Sequence, residues 1–78
     1  MKLKDAEIGK VYKHYIMNDK TRGYVIIRII GVTSINAYKF IVLHKKCNVY
    51  YLNVGTEHSM PDDFIIEEVD DLILELLE

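Results

Sequence analysis

The sequence predicts a mainly β domain of the α+β kind, a small antiparallel barrel or curled meander of four to five strands with a C-terminal α-helix. Three observations carry that prediction. Residues 24–30 (YVIIRII) are β-branched and apolar on both parities, which suits a strand covered on two faces. Residues 38–43 (YKFIVL) repeat the pattern after a stretch holding Gly31, Thr33, Ser34 and Asn36, so the two runs read as an antiparallel hairpin. A hairpin apolar on both faces needs a second layer, and the acidic C-terminal segment is the candidate for it.

The remaining elements follow in chain order. Residues 1–7 form a polar lead-in without clear periodicity. Residues 8–16 alternate loosely enough for a first strand, with Val11 and Tyr15 on one parity and Ile8, Tyr12 and Ile16 on the other. Asn18, Asp19 and Gly23 mark a turn before the central hairpin, because these residue types tolerate positive φ. Residues 45–48 read as a polar turn and residues 49–54 (VYYLNV) as a fourth strand, ended by residues 55–58.

Beyond that point two readings compete. Ser59, Pro61 and Asp62 make a helix start, and Ile65, Val69, Leu72 and Leu76 fall on one helical stripe. Alternatively residues 64–67 form a fifth, barrel-closing strand, and a shorter helix begins near Asp70. A helix over 70–77 is expected in either case, with residues 64–68 left open between strand and helix. Four or five short strands joined by short connections favour rolling up, since an open sheet would leave apolar edges ready to pair. In strand order, and in the opening Ile8-Gly9-Lys10-Val11-Tyr12, the chain resembles the SH3-like and Tudor-like small barrels. The resemblance implies an architecture and no site residues.

Seventy-eight residues are expected to make one domain, residues 1–58 forming the sheet and residues 59–78 an acidic amphipathic segment. Ordering such a chain, at about 1.5 kcal/mol per residue, opposes folding by on the order of 100 kcal/mol, so a core this small is barely sufficient. Self-association, as a homodimer or higher homo-oligomer, is therefore expected. A single cysteine, Cys47, precludes an intrachain disulfide and points to a reducing, cytoplasmic setting. The opening MKLKDAEIGK has no apolar core of a signal peptide and Arg28 interrupts the longest apolar run, so no membrane association is expected.

Charge is strongly polarised along the chain. All ten Lys and Arg lie at or before Lys46, beside only Asp5, Glu7 and Asp19, a surplus of +7. From Cys47 onward there are nine acids and no Lys or Arg, a surplus of −9 that brings the total to −2.

Catalytic chemistry finds little to work with. Glu57, His58 and Ser59 have the residue types of a nucleophile relay, but sequence neighbours rarely converge on one atom and no oxyanion-forming Gly motif accompanies them. Gly9, Gly23, Gly31 and Gly55 are isolated, so no phosphate-cradling loop is present. His44 and Cys47, with His14 or His58, supply metal-ligand types without paired knuckles, and the pairs Asp62-Asp63, Glu67-Glu68 and Asp70-Asp71 lack the alternation of a Ca²⁺ loop. No metal, no cofactor and no catalytic residue are expected.

The prediction is a small non-enzymatic protein-interaction module that binds and blocks, or recruits, a protein target. Glu67, Asp70, Asp71, Glu75 and Glu78 are its candidate partner-binding residues. The alternative is an oligonucleotide, nucleotide or phosphorylated ligand bound by Lys10, Lys13, Tyr15, Lys20, Arg22, Lys39, Lys45 and Lys46, because cations beside aromatic faces suit such ligands. Ile, Lys, Tyr and Asn are abundant while Ala, Pro and Arg are scarce, as an AT-rich gene encodes. In size and composition the chain resembles accessory proteins of bacteriophages and mobile elements, which implies inhibition of a host protein or defence system.

Overall fold

A computed structural model describes residues 1–34 and 36–69. Five antiparallel strands form one sheet: β1 (Val11–Tyr15), β2 (Gly23–Ser34), β3 (Ala37–Cys47), β4 (Glu57–Pro61) and β5 (Glu67–Glu68). Their spatial order is β4-β3-β2-β1-β5, so β4 and β5 are the two edges. The sheet curls but does not close into a barrel. A fifth strand is present, but at Glu67 and Glu68, which pair with Lys13 and Tyr12, and not over residues 64–67, where Ile65 makes only an isolated bridge to Lys2. Yet β5 never meets β4, and among the described residues no helix longer than a 3₁₀ turn occurs. The helix expected over 70–77 lies outside the described residues.

The central hairpin is longer than its apolar runs. Strand β2 continues through Gly31 to Ser34, and β3 continues through Lys45 and Lys46 to Cys47, where the ladder pairs Gly23 with Cys47. Of the residues expected to turn, Lys45, Lys46 and Cys47 therefore extend the strand, because Val25, Tyr24 and Gly23 supply pairing partners there. Register shifts fall between Ile26 and Ile27, Ile29 and Gly31, and Val32 and Ser34, so Leu43, Ile30 and Thr33 are left without a partner. Each such bulge bends the pair and increases its twist.

The bulges account for part of the apolar character on both parities. Val25, Ile27 and Ile29 face the concave side with Phe40 and Val42 opposite them, all fully buried. On the convex side Ile26 is buried, but Arg28 is exposed and Ile30, displaced at a bulge, is 40% exposed. Both-parity apolarity thus has two sources, Ile26 and Ile41 at paired positions on the convex side and Ile30 and Leu43 inserted between registers.

The fourth strand also falls elsewhere. Residues 49–54 form turns, with Leu52 N–H donating to the Val49 carbonyl at 3.3 Å and the Lys45 ammonium donating to the Val49 carbonyl and Asn53 Oδ1, each at 3.2 Å. Leu52 is drawn into the core by this tie, and β-propensity yields to burial. Gly55, at φ +88°, redirects the chain into β4. Ser59 and Pro61, expected to open a helix, sit in that edge strand, where a residue without an N–H costs nothing on the open side.

The lead-in proves structural. Leu3 is fully buried, and Leu3 and Lys4 donate backbone bonds to Phe64 and Asp62, both at 2.8 Å. The connection from β4 to β5 is thereby pinned across one end of the curled sheet. The core joins Leu3, Tyr12, Leu52, Met60 and Ile66 to the concave residues of the hairpin.

Candidate functional site

Two faces of the sheet gather side chains with binding chemistry. On the concave side an open cleft of about 710 Å³ lies between the sheet edges. Its floor is Phe40, Met60 and Leu52, and its lip carries Met17, Tyr51 and Phe64. The volume falls within the roughly 300–1,000 Å³ typical of ligand sites. Met17 is 75% exposed and has φ +52°, in a left-handed conformation that a non-glycine residue rarely adopts. The 3₁₀ turn Ile16–Asn18 thus holds a long apolar side chain out over the opening.

Two histidines border this cleft, each already tied to a neighbour. His14, buried on β1, donates through Nδ1 to the Ile65 carbonyl at 2.9 Å and stacks on Phe64 at 5.5 Å. His58 on β4 meets the Thr56 hydroxyl at 2.7 Å and lies 5.8 Å from the Phe40 ring and 6.0 Å from Tyr51. Strand alternation places Glu57 and Ser59 on the face opposite His58, so the three do not converge. His44 and Cys47 likewise fall on opposite faces of β3, and among the described residues no group of three or more His, Cys, Asp or Glu is placed to hold a metal ion.

On the convex side the register pairs Tyr15 with Tyr24 and Tyr24 with Lys46. The Lys13 ammonium sits 4.2 Å from the centroid of the Tyr24 ring and 4.9 Å from that of Tyr15, and Lys20 lies 5.5 Å over Tyr15. The rings of Tyr15 and Tyr24 meet edge to face at 6.2 Å, and His44 is 6.4 Å beyond Tyr24. Lys13, Lys20 and Lys46 make no ion pair among the described residues.

The eight basic-face candidates are therefore split by the fold. Lys13, Tyr15, Lys20 and Lys46 come together at one end of the convex face. Lys10 pairs with Glu7 at 3.4 Å, Arg22 with Asp19 at 3.3 Å and Lys39 with Glu57 at 3.0 Å, while Lys45 holds the turn at Val49. The hydrogen bond and charge of Glu7 hold the Lys10 ammonium above its usual pKa. Asp19 accepts from the Thr21 hydroxyl and backbone N–H and from Arg22, which holds its carboxyl below the usual range.

Of the acidic candidates, Glu67 is exposed on β5 opposite Lys13, and Asp70, Asp71, Glu75 and Glu78 lie outside the described residues. Tyr24 and His44 belong to the convex cluster and were hidden in the central strands, since only the register reveals which residue meets Tyr15. The cleft residues Met17, Tyr51 and Phe64 carried no spacing signal at all.

These features define a small antiparallel β domain with an apolar cleft on one face and a basic, tyrosine-bearing patch on the other. Set against known proteins, the chain matches no protein family, no curated protein and no solved structure. Among the described residues no helix is long and apolar enough to cross a membrane.

Proposed function

We propose that this chain is a non-enzymatic protein-interaction module whose concave cleft receives an apolar segment of a protein target. The observation that carries this reading is the lip of the cleft, where Met17, Tyr51 and Phe64 stand exposed over an apolar floor. Aromatic residues offer large, rigid contact area, methionine offers an adaptable one, and both are enriched at interfaces. In a reducing cytoplasmic setting Cys47 remains a thiol. Blocking a host protein is the mode of action that suits so small a chain.

The test is photo-crosslinking in extract of the native host, with a photoreactive side chain placed at Tyr51 or, as a control, at Tyr24. A discrete protein species captured through position 51, absent at position 24 and lost with Phe64→Asp, is the expected result. Equal capture at both positions, or capture untouched by Phe64→Asp, rejects the cleft. A truncation ending at Val69 tests the tail, since loss of capture by a truncated chain that still melts cooperatively assigns docking to the tail and retained capture assigns it to the cleft.

A second reading rests on the Lys13–Tyr15–Tyr24–Lys20 cluster, which supports binding of an oligonucleotide or phosphorylated ligand on the convex face. Affinity for short single strands should fall steeply with salt and with Lys13→Glu or Lys46→Glu. A flat fluorescence-polarisation titration at low salt removes it.

A further inference from the structure

Among the described residues no strand pairs with the outer edge of β4, which runs beside the cleft, and its hydrogen-bonding phase can be read from its two ends. Asp62 N–H donates to the Asn36 carbonyl at 2.8 Å, and Val42 N–H donates to the Thr56 carbonyl at 3.0 Å. Antiparallel pairs alternate between bonded and non-bonded, so between these ends the bonded pairs are Tyr38–Met60 and Phe40–His58. The N–H and C=O groups of Glu57 and Ser59 therefore point away from β3, toward the open edge. All three odd positions, Glu57, Ser59 and Pro61, are exposed, while Met60 is buried and His58 half-buried. Ser59 and Pro61 also border the cleft.

From this juxtaposition we infer that the target enters as an extended peptide that adds to β4 as a sixth strand. The inference rests on the protein-interaction reading of the cleft and names the form of its partner. A strand laid beside β4 bonds its backbone to Glu57 and Ser59, and successive side chains alternate between the two faces. Residues on the side of His58 and Met60 drop toward Phe40 and Leu52, so this side selects two apolar residues spaced by one. The residue between them passes beside Glu57 on the other face.

Charge selects the occupant. The rim holds Glu57, Asp62 and Asp63, and its Lys39 is already paired with Glu57 at 3.0 Å. A second copy of this chain, paired β4 to β4 about Ser59, would bring an identical set of acids against the first, and like charges placed across an interface oppose association. An apolar–basic–apolar peptide meets the same rim with opposite charge. Pro61 lacks an N–H, which limits how far the added ladder extends and restrains indiscriminate pairing.

The experiment uses the full chain and a fluorescein-labelled synthetic peptide of alternating Val and Lys, with an N-methylated copy of the same peptide and a Val/Glu copy as controls. Saturable polarisation with the Val/Lys peptide is expected, weakened at least tenfold by N-methylation and absent with the Val/Glu copy. In ¹⁵N spectra the amides of Glu57 and Ser59 should gain exchange protection on binding. Ser59→Pro removes only an outward-facing donor and should weaken binding about as much as N-methylation does, while thermal melting shows that the variant folds.

No binding up to about 1 mM, equal binding of the N-methylated peptide, or unchanged protection at Glu57 and Ser59 overturns strand addition. Protection of those amides without peptide, together with a dimer in light scattering, overturns it in favour of a second copy. The crosslinked species at Tyr51 separates this inference from the reading beneath it. Capture that survives Ser59→Pro leaves the cleft standing and strand addition refuted, whereas loss of capture in Phe64→Asp alone concerns only the cleft.

Discussion

On its concave side the sheet buries Val25, Ile27, Ile29, Phe40 and Val42 completely, whereas on its convex side Ile26 is buried while Arg28 and Ile30 remain exposed. The concave residues are covered by Leu3, Leu52 and Ile66, brought from three separate stretches of chain. The convex side is covered by its own neighbours, with Lys13, Tyr15 and Tyr24 packed across adjacent strands. Long amphipathic side chains can shield a sheet in this way, laying methylene stems on apolar surface while the ammonium stays in water. Among the described residues, one face is thus closed by tertiary structure and the other by side chains of the sheet itself.

That contrast can be broken by paired substitutions. Phe40→Ala should cost about 4 kcal/mol of stability and Ile26→Ala about 2 kcal/mol, measured by urea denaturation. Equal losses would mean that the convex face is as well packed as the concave one. Next in size is His14→Phe, which keeps the ring against Phe64 but removes the donor to the Ile65 carbonyl. It should cost about 1–2 kcal/mol, and a neutral result would show that water satisfies that carbonyl.

Smaller again is Lys13→Met, which keeps the stem and removes the charge over Tyr15 and Tyr24. A loss below about 1 kcal/mol is expected, because the site is partly exposed. A loss as large as that of Phe40→Ala would make the ammonium a structural centre of the convex face. The smallest effect concerns pH. The Asp19 carboxyl is held below its usual pKa by the Thr21 hydroxyl and backbone N–H, so its stabilisation is present above the unfolded value and fades as pH falls through the folded one. The slope of melting temperature between about pH 4 and pH 2 should flatten in Asp19→Asn, and an unchanged slope would deny Asp19 that role.

The hairpin was legible in the sequence because β-branched residues on 24–30 and 38–43 leave few alternatives to paired strands. Its outer reaches were not, since Lys45, Lys46 and Cys47 look like a turn until Gly23, Tyr24 and Val25 pair with them. The run at 49–54 has the propensity of a strand, yet Leu52 is worth more in the core than its neighbours are in a ladder. Barrel closure was inferred from the hazard of open edges. The fold handles one edge with Pro61 and the other with the two-residue strand β5. Of the basic candidates, half were dispersed into local ion pairs or turn contacts that depend on folded neighbours such as Glu57 and Asn53.

The unpaired residues Leu43, Ile30 and Thr33 make this hairpin a counted object, in which length carries information that chemistry does not. Exchanging Ile30 for another residue alters one side chain, but deleting it would leave Gly31 and Val32 opposite Lys39 and Tyr38 while removing the bend and extra twist that the bulge gives the pair. Natural variants of this chain should accordingly differ within the hairpin by replacement, and vary in length only at its connections.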